Sequence, residues 1–263
     1  MQKRHKNRKI YFDEQSLTTE KYVIPYLEDL VPLNAQSEVL EIGCGEGGNL
    51  APFIQRSCRS VGVDLNEGQI LKAKEYMEES FPQGNFKFYY KDMYDVNVDD
   101  IGQFDLIMMR DVIEHIHDQE KFMEFLKRFL KPNGKIFFGF PPWRMPFGGH
   151  QQICESKLLS KLPFFHLLPM PLYTLLLKAF GEKKSKIESL VEIKETGISI
   201  HRFEKIIREK GYQFDQKDLY FINPNYETKF GLKPKLLPKF LGAIPFFKDF
   251  YTTCVYCLIS IKK

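Results

Sequence analysis

Val39-Leu-Glu-Ile-Gly-Cys-Gly-Glu-Gly-Gly-Asn-Leu50 is an apolar run that stops abruptly at glycines, with a helical pattern starting directly after it. It reads as strand, tight loop and helix. Gly43, Gly45 and Gly47 remove side chains where the backbone must turn sharply and lie close to a ligand, and the amides opening the next helix can donate to that ligand. Gly43, Gly45 and Gly48 also fit the dinucleotide fingerprint G-x-G-x-x-G, so the glycines leave NAD and other adenosine-containing cofactors open. Glu41 separates them. An acid two residues before the first glycine is out of place beside a pyrophosphate but suits a ligand that carries an ammonium and a sulfonium.

Outward from this loop, the chain repeats strand then helix. Residues 60–64 form a short apolar strand ending in Asp64, the position from which an acid accepts hydrogen bonds from ribose hydroxyls in open α/β sheets. Asn66 caps a helix over residues 67–79, with Ile70, Leu71 and Ala73 facing inward. Residues 86–90 give a third strand, ended by Lys91-Asp92-Met93. A fourth, residues 104–109, is followed by Arg110-Asp-Val-Ile-Glu-His115, then by a helix over 119–130, a Lys131-Pro-Asn-Gly134 turn and a buried fifth strand to Phe140. This alternation predicts a parallel, doubly wound sheet.

The glycine stretch resembles motif I, E/D-x-G-x-G-x-G, of the class I S-adenosylmethionine-dependent methyltransferases. Phe104-Asp-Leu-Ile107 followed by V-x-E-H at 112–115 closely resembles the small-molecule branch that contains quinone and similar O-methyltransferases. The likeness covers residues 37–140 well and the terminal strands loosely. It implies a Rossmann-like, seven-stranded sheet whose last strand is antiparallel and inserts between the fifth and sixth, with S-adenosyl-L-methionine as cofactor. The implied contacts are Glu41, Gly43, Cys44 and Gly45 in the loop, Asp64 and Leu65 after the second strand, and Arg110 near the methionine part. Asp92 would accept from the adenine amine, and Met93 would pack on the ring. Phe140-Pro-Pro-Trp143 is similar to the N/D-P-P-Y/F/W signature of amino-methyltransferases, but it follows the fifth strand and opens with Phe, and reads as a loop start.

The flanking segments divide the chain into a tail and cap helix (1–36), the cofactor-binding core (37–140), an inserted helical lid or acceptor subdomain (141–195) and a completion of the sheet (196–263). Residues 18–30 predict a helix after a Thr18 cap, kinked at Pro25, with Tyr11-Phe12-Asp13 ahead of it to cover a ligand or join the core. The insertion is rich in Leu, Phe and Pro, which suits either a lipophilic acceptor site or a subdomain with its own core. Residues 212–222 and 251–261 read as strands six and seven, separated by a second apolar excursion. His150, after Gly148-Gly149, is the candidate base for an acceptor hydroxyl, and His115 is its competitor. His115 and His117 lack enough further ligands to suggest a metal.

With 263 residues and a net charge of +4, the charges are mixed along most of the chain, which gives no electrostatic signal for nucleic acid. The exception is the basic run from Lys3 to Lys9, a solvated tail or a contact with an anionic surface. Five scattered cysteines, and no apolar segment after that run, point to a reducing cytoplasm, with peripheral membrane contact through the apolar excursions. Cys254-Val-Tyr-Cys257 lies in a strand, where residues three apart face opposite ways. The expected function is methyl transfer to an oxygen of a small or lipid-linked acceptor. The alternatives are an NAD-dependent oxidoreductase and an adenosyl-cofactor-binding protein without catalysis; the sequence sets no oligomeric state.

Overall fold

The computed structural model describes residues 8–262, so most of the basic run, Lys3 to Asn7, lies outside the described residues. The described residues open in a helix, Arg8–Thr18 (α1), that continues through a π-helical turn, Thr19–Val23, into a last turn, Ile24–Leu27 (α2). This corrects the expected start at residue 18. Thr18 is itself helical, and its hydroxyl donates to the Glu14 carbonyl at 2.8 Å instead of capping. Pro25 falls at the first turn of α2, just after the π turn, where its missing N–H is tolerated. Tyr11 and Phe12 therefore belong to a helix, and Phe12 is buried in the core.

The strand and helix alternation follows: Glu38–Ile42 (β1), Ala51–Gln55 (α3), Arg59–Asp64 (β2), Glu67–Ser80 (α4), Phe86–Tyr90 (β3), Val98–Ile101 (α5), Phe104–Arg110 (β4), Gln119–Leu126 (α6) and Leu130–Phe140 (β5). The helix after the glycine loop is only five residues long and begins at Ala51, and the loop amides of Gly43, Cys44, Gly45 and Gly47 donate within the protein. α6 is shorter than predicted and tightens into a 3-10 turn, Lys127–Phe129. The Pro-Asn-Gly turn is absorbed into the start of β5, where Asn133 takes a positive φ and the pairing with β4 shifts register.

Met170–Ala179 (α7) and Lys184–Thr196 (α8) lie in the insertion; Ile200–Glu209 (α9), Tyr212–Ile222 (β6), Asn225–Phe230 (α10), Lys235–Leu236 (β7) and Cys254–Ile261 (β8) complete the fold. The sheet order is β3-β2-β1-β4-β5-β8-β6-β7. β1 to β5 are parallel, and β8 runs antiparallel between β5 and β6, as the family resemblance implies. The sheet has eight strands instead of seven because two residues of the second apolar excursion pair with the edge strand β6. The last long strand starts at Cys254, three residues later than expected.

Alternate residues of the buried strands feed two cores, which is what a sheet covered on both faces requires. Leu40, Ile42, Ile107 and Phe138 pack with α6 and α9 on one side. Val39, Leu106, Met108 and Phe137 pack with α2, α3 and α4 on the other. Cys254 and Cys257 fall into opposite cores, and all five cysteines are free and buried. Ile70 and Ala73 face inward on α4, but Leu71 points out to solvent. The insertion has a core of its own, built from Leu159, Phe165, Tyr173, Leu177 and Leu190. Phe140-Pro-Pro-Trp143 anchors it: the Trp143 amide donates to the Ile198 carbonyl at 2.8 Å, and its ring meets His166 edge-on.

Candidate functional site

The strand order reverses between β1 and β4, and the cleft lies there, at the carboxyl ends of the parallel strands. Gly43 turns the chain out of β1 at φ +70°, and a Cβ on it would stand 2.4 Å from Val112. Gly45, at φ +54°, has only the Gln69 side-chain oxygen within 4 Å of such a Cβ, so the space it leaves opens into the cleft. The Gly45 amide donates to Asp64 Oδ2 at 2.8 Å, and the Asn66 amide donates to Oδ1 at 2.8 Å. Asp64 thus ties loop to strand end and is not the helix cap; Asn66 takes that role on Gln69.

Beneath the loop, Glu41 is fully buried, with Oε1 accepting from Asn49 Nδ2 at 2.6 Å and Oε2 without a partner among the described residues. Burial raises its pKa to about 8, against the Asn49 hydrogen bond and the nearby Arg110 charge. Arg110, also buried, donates to Asn49 Oδ1 (2.6 Å), Thr19 Oγ1 (2.8 Å) and Asn225 Oδ1 (2.7 Å). One cation therefore joins the glycine loop, the amino-terminal helix and α10. Tyr22 and Lys21 add a second link to α10 through Glu227.

Two adjoining cavities share Gly43, Asp64 and Asp111. The smaller, about 160 Å³, is polar and is lined by Tyr11, Gln15, Asn49, Arg110 and Thr228 among others. Tyr11 is held at a pKa of about 12, mainly by burial. The larger, about 580 Å³, is walled by Leu65, Asp92, Met93, Tyr94, Val112 and His115. Asp92 caps the turn after β3 by accepting from Tyr94 N at 2.9 Å, and Met93 is buried against the core.

The structure thus gathers Gly43, Gly45, Asp64, Leu65, Asp92, Met93 and Arg110 around one cleft. The Cys44 side chain is fully buried in the core behind β1, so that residue contributes its backbone alone to the loop. Glu41 acts from below, through Asn49. His150 and His115, far apart in sequence, stand edge to face with ring centroids 5.1 Å apart. Burial lowers both imidazoles, His150 to about 4, with His115 adding to the effect. Beside them Glu114 is buried, and burial followed by the Asp111 charge holds its carboxyl well above the usual range.

Sequence reasoning missed Thr19, Asn49, Asn225 and Glu114. Asn49 and Glu114 sat inside the quoted stretches and could have been found as polar residues that the cores had to bury. Thr19 and Asn225 carry no local signal, because their partner Arg110 lies 91 and 115 residues away.

A family model described as a methyltransferase domain matches residues 16–151, a little over half of the chain. The chain belongs to this methyltransferase-domain family. A ubiquinone biosynthesis O-methyltransferase of Coxiella burnetii is 29% identical over 115 residues, which span 44% of this chain and 47% of that protein. The chain thus spans about half the length of such curated relatives. Among solved structures, the magnesium protoporphyrin IX methyltransferase of Synechocystis PCC 6803 with bound SAH superposes with a TM-score of 0.55 at 14% identity, covering 95% of this chain and 84% of that one. Geranyl diphosphate C-methyltransferase from Streptomyces coelicolor gives 0.56 at 14% identity, covering 92% and 80%. Both show the same Rossmann-like fold.

Proposed function

We propose that the chain transfers a methyl group from S-adenosylmethionine to an oxygen of a small or lipid-linked acceptor. The observation that carries this reading is the line of acids at successive strand ends, Glu41, Asp64 and Asp92, around a loop whose missing Gly45 side chain opens into the cleft. The residues fit the cofactor. Glu41 keeps one buried oxygen without a partner among the described residues, and an acid under the loop, protonated in the free protein, gains a negative charge only beside a cationic ligand, which favours such a ligand over a pyrophosphate. That disfavours the NAD-dependent alternative. When bound, the cofactor supplies a methyl group already activated by a positively charged sulfur.

The protein's part is alignment in a dry site. Asp64 and Asp92 each keep lone pairs for hydroxyl and amine donors, Met93 offers an apolar face, and Tyr11 and Gln15 on α1 close the polar end. His150, held to about 4, would accept an acceptor's proton only weakly at neutral pH.

A lipid-linked acceptor and contact with membrane surfaces are supported by the apolar surface around the insertion. Leu158, Phe164, Leu172, Leu175 and Phe180 are exposed there, and Phe164 meets Phe250 of the second excursion with centroids 6.0 Å apart. That excursion exposes Leu236, Phe240, Phe246 and Phe247. Between Glu227 and Asp249 it carries Lys229, Lys233, Lys235, Lys239 and Lys248 and no acid, a combination suited to anionic headgroups. No helix among the described residues is long and apolar enough to cross a membrane. The name of one relative, a ubiquinone biosynthesis O-methyltransferase, lends support to a small acceptor methylated on oxygen. Incubating cell extract with methyl-labelled donor and partitioning the products tests the reading. Label in the organic phase is expected, and label confined to the aqueous phase contradicts the lipid-linked acceptor.

A further inference from the structure

Next to the cleft, two separate segments bring together three side chains that cofactor binding leaves unused. Glu114 and His115 come from the 3-10 turn Ile113–His115 after β4, and His150 comes from the start of the insertion. Their ligating atoms all lie within 4.8 Å of one another. Glu114 is the informative member. It is 4% exposed, and neither carboxylate oxygen has a hydrogen-bond partner among the described residues. A buried carboxylate without partners is costly, and a fold retains one where something binds it.

We propose that Glu114, His115 and His150 bind a divalent cation of the zinc or manganese class, with an open coordination position facing the cleft for an oxygen of the acceptor. One carboxylate and two imidazoles form a mixed oxygen and nitrogen set that suits these borderline cations better than calcium. Around such an ion, bonds of about 2.0–2.2 Å place donor atoms roughly 3–4 Å apart, so side-chain rotation closes the remaining gap. Three protein ligands leave at least one position free, the arrangement of catalytic sites. His115 already lines the larger cavity together with Gly43 and Asp64, which sets that position beside the cofactor loop. His117 takes no part, since its ring turns to Glu192 at 3.4 Å.

The cation's use in catalysis rests on the methyl-transfer reading, whereas cation binding does not. An acceptor hydroxyl occupying the open position would release its proton to solvent, its O–H electron pair staying on the oxygen, whose negative charge the cation shares. This gives the site a means of activating an oxygen without a histidine base.

The test is titration of chelator-stripped protein, with no cofactor or acceptor present, using ZnCl2 by calorimetry and Co2+ by visible absorption. The wild type should bind one ion with micromolar or tighter affinity, and Co2+ should show ligand-field bands of nitrogen and oxygen coordination. Glu114→Gln and His150→Ala should each weaken binding at least about tenfold, while His117→Ala should not. His150→Ala, at a half-buried loop position, keeps the test decisive if Glu114→Gln fails to fold. Absence of saturable binding below about 1 mM, or unchanged binding by folded His150→Ala, overturns the proposal. Titration of the same samples with S-adenosylhomocysteine separates the two ideas: cation binding without cofactor binding sinks the functional reading alone, and the reverse sinks the metal site alone.

Discussion

Between Glu38 and Phe140 the chain buries most of its large apolar strand residues and joins Arg110 to Asn49 and Asp64 to the glycine loop by hydrogen bonds, whereas between Leu232 and Tyr251 it turns apolar side chains outward. Phe240 is 71% exposed, and Phe246, Phe247 and Leu236 are about half exposed, in a segment whose charges before Asp249 are all lysines. Arg110 with its three side-chain acceptors belongs to the first kind of construction. The contrast locates two tasks. A site that must hold one ligand in one pose is built where packing and hydrogen bonds over-determine it, and a surface that meets a fluid partner needs only exposed apolar area and charge.

The largest expected effect lies in the first region. Gly45→Val puts a branched side chain into the cleft, where little protein stands in its way, so cofactor affinity should fall more than about a hundredfold, ~2.7 kcal/mol. Calorimetry on the folded variant checks this, and near-wild-type affinity would place the ligand elsewhere. Asp64→Ala comes next: it removes acceptors for ligand hydroxyls and frees the Gly45 amide, costing roughly 1.5–3 kcal/mol of binding.

In the second region, the combined change of Phe240, Phe246 and Phe247 to Ser should lower partition onto vesicles rich in anionic lipid by about tenfold or more, since rings that dip only partly into the interface gain together a fraction of the roughly 1.5–3 kcal/mol that one fully buried Phe contributes. Melting temperature and cofactor affinity should stay near wild type. If vesicle binding is unchanged, or if the fold collapses, the two regions are not separable in the way the exposure pattern indicates.

The smallest effect is a pH dependence. Folded Glu41 keeps its proton up to about pH 8, while in the unfolded chain it is lost near the ordinary value of 4.5. The folded state binds more protons between these limits, so the stability owed to this group is complete below pH 4.5 and is lost as pH rises to about 8. Glu41→Gln should flatten that decline in a series of thermal melts across pH 5 to 8. An unchanged slope would mean that Glu41 is ionised in the free protein.

Much of the first region was legible in the sequence. Strands buried on both faces leave near-continuous apolar runs, and Glu41, Asp64 and Asp92 at their ends give the register of the cleft without any knowledge of packing. What escaped were features that local pattern does not encode. The helix through Arg8–Thr18 buries only Phe12 and Thr18 among its residues, so it leaves little apolar periodicity to read. β7 is two residues long and exists only by pairing with β6. Cys44 is a loop residue, as read, but the burial of its side chain in the core is not written in the local pattern. The approach of His150 to His115 and Glu114 depends on how the insertion folds back, which no periodicity records.

The buried acid Glu41 beneath the glycine loop suits a cationic adenosyl ligand and not a dinucleotide. Calorimetric titration of the wild-type chain with S-adenosylmethionine, S-adenosylhomocysteine and NAD+ under one buffer tests it directly. The expected result is one saturable site for each adenosyl ligand and no measurable heat with NAD+; saturable NAD+ binding in the absence of adenosyl-ligand binding would contradict it.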